Sequence, residues 1–356
     1  MSTSPVRDDA LARTLDLPDA AQPQLNAARY RPWLADLTSR TMLAIDAGQP
    51  NPDLLLDPHV APGVAAWMGL RKHAVALHPL YCVPDLRTLG AGLALADLDE
   101  PLLDGMAPFE LLARFVGSEA SARIRVRYQA FLEQEVTDPL RITMSFTLDA
   151  RQIRWRANAA AVLAREAAHQ WAHELVIVSL ACGAAGPVAR LADGLVADGH
   201  EVASMYLIDR DPVALAVGRA IARQHLDASK LHIELLDLVN MEDGTATSLA
   251  PHIREPAHIV DILGLFEYLP DDTAISLLKE ARAVLRPDGV ILLANMLRER
   301  PEQDVFSHLI QWPTLIQRSI EDLVGLIRAA GFDLSTVTIA TASPAEAVYA
   351  VAAIRV

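Results

Sequence analysis

The chain has 356 residues, 52% of them hydrophobic, with 31 basic against 45 acidic side chains and a formal charge of −14. That size and apolar content suffice for a large core and two structural units. The acidic balance argues against a phosphate-backbone partner, which requires clustered Lys and Arg, and favours a small-molecule substrate over nucleic acid.

Cys82 and Cys182, one in each half, make neither a CxxC zinc spacing nor a disulfide framework, so no metal centre is expected and a reducing cytoplasm fits. No apolar signal core opens the sequence and no segment approaches 18 uninterrupted apolar residues, so membrane insertion is not expected. Residues 1–24 are polar with scattered Pro, Asp and Ala and read as mobile or loosely docked.

Residues 25–150 read as a mainly helical unit. LNAARYRPWLADLTSRTMLAID carries apolar residues at helical spacing around Tyr30, Trp33, Leu37 and Ala44, interrupted at Pro32. VAPGVAAWMGLRKHAVAL, TLGAGLALADL and PFELLARFVGSEASARIRVRYQAFLEQEV continue the pattern. His73 and His78 are not at metal-ligand spacing. RITMSFTLD, residues 141–149, alternates enough for a short strand, with a loop as the alternative, and residues 151–173 are helical by propensity.

LVIVSLACGAAG, residues 175–186, organises the second half. Leu175, Val176, Ile177 and Val178 form the continuous apolar run of a strand covered on both faces. From Ser179 to Gly186 almost nothing exceeds Ala or Cys in size, which permits close approach of a ligand to the backbone or simply a tight strand-to-helix turn. A helical pattern follows, then SMYLIDRDP, a strand ending in Asp209 and Asp211. LHIELLD ends at Asp237, HIVDILGLFEYLPDD carries Gly264 just past its apolar part, and RPDGVILLANML supplies a fifth strand. A helix containing IEDLVGLIRAAGF precedes STVTIATAS and AVYAVAAIRV, a strand pair turning at Ser343 and Pro344.

In this order the features resemble the class I S-adenosylmethionine (SAM) dependent methyltransferases over roughly residues 155–356. The resemblance implies an α/β, Rossmann-like SAM-binding domain over residues 151–356, an N-terminal mainly helical cap over 25–150, and an antiparallel hairpin at one sheet edge. SAM has no phosphate to cradle. It needs exposed backbone at the turn, a carboxylate for two ribose hydroxyls and a polar partner for the adenine edge. The resemblance puts Ser179, Ala181, Gly183, Ala185 and Gly186 at the turn, Asp209 with Arg210 at the ribose, Asp237 with Leu238 at the adenine, and Gly264 with Leu265 past the fourth strand.

The family's first strand usually reads like DLGCGTG; here its acid is Ser179 and two of its glycines are Ala181 and Ala185, which narrows the space beside a ligand. Asp211 before Pro212 reads as a helix cap. A nicotinamide cofactor fits less well, because the three-glycine fingerprint is missing and Asp209 stands 26 positions past Gly183, against about 20 for that fingerprint.

Methyl transfer from a sulfonium needs little acid or base help, since alignment supplies much of the rate. Tyr268 and Asn295 sit where an open α/β sheet places its substrates and are the catalytic candidates. Arg154 and Arg156 either hold the cofactor carboxylate or form a solvated helix face. Tyr30, Trp33 and Tyr128 either wall the cation or pack in a core. A large cap implies a small, sequestered substrate.

Three functions are compatible: methyl transfer to a small metabolite in specialised metabolism; cyclisation of SAM with release of methylthioadenosine, as in the azetidine-2-carboxylate synthases of this fold; and a non-catalytic SAM-binding scaffold, which the alanines at 181 and 185 favour. The apolar C-terminal hairpin and the Ala-rich helical unit leave a homodimer open.

Overall fold

The computed structural model describes residues 12–18, 98–133, 148–171, 174–240, 243–301, 303 and 315–356. The strands are β1 (Ala12–Thr14), β2 (Glu174–Leu180), β3 (Glu201–Asp209), β4 (Leu231–Leu235), β5 (Val239–Asn240), β6 (Thr245–Ala246), β7 (Ala257–Ile262), β8 (Leu285–Met296), β9 (Val337–Thr341) and β10 (Tyr349–Arg355). The helices are α1 (Pro108–Val116), α2 (Ser118–Glu133), α3 (Leu148–Ala168), α4 (Gly186–Ala197), α5 (Pro212–Ala222), α6 (Asp271–Ala283) and α7 (Ile320–Ala329).

Eight strands form one sheet in the order β1-β9-β10-β8-β7-β2-β3-β4, and β5 with β6 makes a separate ribbon. β8, β7, β2, β3 and β4 run parallel, whereas β10 is inserted antiparallel between β8 and β9. This is the Rossmann-like α/β sheet that the resemblance implies, with its closing hairpin at one side.

The central strands are largely apolar because helices cover both faces, with Ser179 in β2 and Asp261 in β7 as polar exceptions. On one face Leu175, Ile177, Ile259 and Leu292 pack with Ala160 and Leu163 of α3, Leu191 of α4 and Leu215 of α5. On the other, Val176, Val178, Val260 and Ile291 meet Leu277 and Leu278 of α6 and Leu323 and Ile327 of α7.

α3 is the long helix expected before β2, but it starts at Leu148 and takes in Asp149, so the end of RITMSFTLD is helical; residues 141–147 lie outside the described residues. The Asp149 carboxylate receives both guanidinium nitrogens of Arg300, at 2.6 and 2.7 Å, which fixes the first turn of the helix. In the helical unit, α1 and α2 are separate helices joined at Gly117, whose φ of 84° no other residue adopts cheaply. Residues 19–97 lie outside the described residues, and with them Tyr30, Trp33, His73, His78 and Cys82. No helix among the described residues is long and apolar enough to cross a membrane.

Residues 12–18 differ from the loosely docked reading. β1 pairs parallel with β9. The Leu15 amide donates to Thr341 O at 2.9 Å, and Trp155 Nε1 donates to Leu15 O at 3.0 Å. Edge pairing uses main-chain groups of β9 that would otherwise be unpaired, so it needs no hydrophobic pattern in the docking segment. Trp155→Phe removes the indole donor and should lower stability by about 1 kcal/mol, read as a shift in the urea midpoint with faster hydrogen exchange at the Leu15 amide.

Candidate functional site

Ligands of open α/β sheets bind at the carboxyl ends of the strands. There β2 runs into a turn in which Ala181, Gly183 and Ala185 all have positive φ, 52°, 52° and 55°. For an L-residue this region costs about 1–2 kcal/mol, so two alanines are held there against their preference. Cys182 N donates to Ile208 O at 3.1 Å and Ala185 N to Cys182 O at 2.8 Å. The strongest tie is Asp209, at the end of β3. Its Oδ2 accepts from Gly183 N at 2.8 Å and its Oδ1 from Asp211 N at 2.9 Å.

Asp209 is buried, and desolvation pushes its carboxyl above the ordinary range against the pull of the Asp211, Gly183 and Arg210 amides. The three amides do not exhaust the acceptor capacity of its two oxygens, which leaves room for a sugar hydroxyl.

The alanine methyls do not act as the sequence suggests. Ala185 is fully buried, and its methyl lies against α5, where a Cβ placed on Gly218 would stand 3.2 Å from it and 3.1 Å from Gly183 O. The bare backbone of Gly218 takes up the extra carbon. Ala181 packs, partly buried, against the core of the other sheet face. Beyond them Gly186 opens α4, and nothing lies within 4 Å of where its Cβ would be.

Asp211 caps α5, accepting from Val213 N at 2.9 Å and Ala214 N at 3.3 Å, as the cap reading expects. Asp237 stands just past β4 with its side chain 57% exposed, 3.8 Å from the exposed Arg210, while Leu238 beside it is buried.

Ser179 and Asp261 are in-register partners across β2 and β7. The Ser179 hydroxyl donates to Asp261 Oδ2 at 2.9 Å, whereas Asp261 Oδ1 is buried without a hydrogen bond. Burial pushes this carboxyl from 3.8 up to about 6, with Ser179, Arg156 and the Leu263 amide opposing the shift.

Above this pair lies α3. Arg154 and Arg156 are 2% and 4% exposed, which rules out a solvated helix face. The Arg156 guanidinium sits 4.7 Å over the Tyr349 ring, 3.5 Å from Glu267 Oε1, and 3.5 Å from where a Cβ on Gly264 would stand. Glu267 Oε2 is buried without a hydrogen bond, and desolvation raises this carboxyl too.

Tyr268, on the 3-10 turn Phe266–Tyr268, is 39% exposed, and Leu265 before that turn is partly buried. Asn295 is buried and occupied by protein: it donates to Met296 O at 2.8 Å and Ile316 O at 3.2 Å and accepts from Arg318 Nη1 at 2.8 Å. Arg318 also holds Phe266 O and Leu269 O, so Asn295 braces the turn that carries Glu267 and Tyr268. Tyr128 lies on α2.

Sequence reasoning passed over Asp261, Glu267 and the Arg300 pair with Asp149. The available signal was a carboxylate inside the apolar run HIVDILGLF. A cleft of about 390 Å³ lined by His200, Arg223, His225 and Lys230 opens near the start of β3, at the opposite edge from the turn.

No known family profile matches the sequence, and no curated protein matches it. Similar solved structures include a protein from Bordetella parapertussis described as a possible exported protein, 17% identical, covering 80% of this chain and 97% of its own with a TM-score of 0.49. The SAM-dependent methyltransferase SibL is 16% identical over 65% of this chain and 61% of its own, TM-score 0.43. Human N-acetylserotonin methyltransferase in complex with SAM is 14% identical over 76% and 66%, TM-score 0.40.

Two expectations follow from the geometry. Gly218→Ala pushes a methyl into the turn and should destabilise the protein by about 1–3 kcal/mol, checked by urea denaturation, while Gly218→Ser should cost no less. Asp261 makes stability depend on pH. Below pH 3.8 the carboxyl is protonated in both states; between 3.8 and about 6 the folded state alone holds the proton, so stability falls as pH rises through that window and the loss is complete above it. The full loss is on the order of 3 kcal/mol, and Asp261→Asn should flatten the pH dependence of the unfolding midpoint over that window relative to wild type.

Proposed function

We propose that this chain is a SAM-dependent enzyme acting on a small molecule, in the first place a cytoplasmic methyltransferase of specialised metabolism. The observation that carries the proposal is the Asp209 carboxylate, bonded to the Gly183 amide at the carboxyl edge of a parallel sheet whose last strand pair is antiparallel.

The residues present fit the nucleoside. The Gly183 turn and the open side of Gly186 leave room for close approach to the backbone. Asp209 offers two carboxylate oxygens to the ribose hydroxyls, and the exposed Asp237 offers an acceptor to the adenine amino group with the Leu238 backbone beside it. The Ala185 methyl is turned toward Gly218, which supports a turn able to take a ligand.

When bound, SAM supplies an electrophilic methyl on a sulfonium leaving group. The chain has to align an acceptor and keep water out. Glu267, buried with Oε2 unpaired and with its carboxyl raised by desolvation, is the proposed acceptor of a substrate hydroxyl proton at that oxygen. Tyr268 at the exposed rim is the proposed substrate contact. Asn295 is a positioning residue, acting through Arg318 on the 266–269 backbone.

Incubating the purified chain with SAM, alone and with candidate acceptors, tests the assignment. Formation of S-adenosylhomocysteine only when an acceptor is added is the expected result. Methylthioadenosine released without acceptor means cyclisation, and no calorimetric binding of SAM overturns both. Asp209→Asn turns an amide N–H toward the Gly183 or Asp211 amide and should weaken SAM binding by about tenfold or more; full retention of affinity would overturn the ribose assignment.

A further inference from the structure

Ser179 stands where the resembling family carries an acid, so β2 brings no carboxylate to the floor of the turn. The neighbouring strand does. Asp261 is the in-register partner of Ser179, and the Ser179 hydroxyl holds its Oδ2 at 2.9 Å. Such a bond fixes the carboxylate plane and leaves Oδ1 to something else. That oxygen is buried and has no hydrogen bond, on a residue only 3% exposed.

The Leu263 amide and Arg156 also act on the Asp261 carboxylate, but the Arg156 guanidinium is engaged as well by Glu267 and the Tyr349 ring. Asp209 and Asp261 both act on the Cys182 thiol, so the turn is flanked by two carboxylates, one from β3 and one from β7. Asp209 is committed to the Gly183, Asp211 and Arg210 amides, with its remaining acceptor capacity assigned above to the ribose. An unpaired buried carboxylate oxygen is unfavourable by itself, and the group that relieves it best is a compact cation with several donors.

Resting on the SAM reading above, we propose that Asp261 supplies from β7 the carboxylate that β2 lacks, its Oδ1 accepting the α-ammonium group at the amino acid end of the nucleoside. The acid has moved one strand sideways, and the hydroxyl left on β2 orients it. Binding selectivity follows. Nucleosides that carry the ammonium gain from Asp261, whereas those truncated at the thioether do not.

The test uses calorimetry on the full chain with S-adenosylhomocysteine and with methylthioadenosine, which has the same nucleoside and sulfur but no amino acid end. Asp261→Asn should weaken S-adenosylhomocysteine by about tenfold to a hundredfold while changing methylthioadenosine by less than about twofold. The exchange Ser179→Asp with Asp261→Ser returns the acid to β2 and should recover S-adenosylhomocysteine binding to within about threefold of wild type.

Equal effects on both ligands, or none on either, overturn the proposal, as does a folded exchange variant that fails to recover. In the wild type itself, S-adenosylhomocysteine lacking only its α-amino group should bind about tenfold more weakly than the parent, and equal binding overturns the proposal without any variant having to fold. A wild type that binds neither nucleoside overturns the SAM reading, and this inference with it.

Discussion

One carboxylate holds the functional edge of this protein together. Asp209 bonds the amide in the middle of the β2 turn and the amide that opens the next turn, after β3. That tie, together with the Cys182 and Ala185 amide bonds, holds three alternate residues in the left-handed region, two of them alanine. The rest of the edge follows from it. α4 starts where the turn releases the chain, α5 starts at the Asp211 cap two residues beyond, and Gly218 on α5 makes room for the turn from behind. The same carboxylate therefore shapes the backbone cradle and turns its oxygens toward it.

The two faces of the sheet divide the labour. The α6 and α7 face packs mainly aliphatic side chains, with Arg318 buried against Asn295 and Asp271 at its carboxyl edge. The α3 face buries charge at its carboxyl edge: Arg156 beside Glu267, Asp261 beside Ser179, and Arg300 on Asp149. Taking such groups out of water is costly, and apolar residues of similar size would serve stability as well or better. The bidentate Arg300 pair meets the cost with good geometry. Asp261 and Glu267 do not, each keeping one buried oxygen unbonded. Carboxylates left in that condition next to a backbone cradle are where ligand chemistry is expected to enter.

Much of the architecture was legible before the coordinates. Both sheet faces are covered, so β2, β3, β7 and β8 carry short apolar stretches, and such stretches stand out against helical spacing. The closing hairpin announced itself through β-branched residues around Ser343 and Pro344. β1 did not, because a strand that joins an edge through main-chain bonds leaves no side-chain period to read. The site divides in the same way. Asp209 and Asp237 could be placed because they stand at or just past strand ends, and Asp211 because it precedes Pro212 at a helix start. Arg154 and Arg156 could not, since a helix buried on most of its surface looks like a solvated one wherever its charges are neutralised by distant parts of the chain.

The sequence by itself determined the order of elements, the small-residue turn after the first central strand and the carboxylates at the strand ends, because these depend on local periodicity and side-chain size. Only the tertiary structure decided that Ser179 faces Asp261, that the Ala185 methyl falls against Gly218 and that Arg156 lies over Tyr349. Those pairings depend on strand register and helix packing, and residues 82 positions apart meet only once the whole sheet has closed.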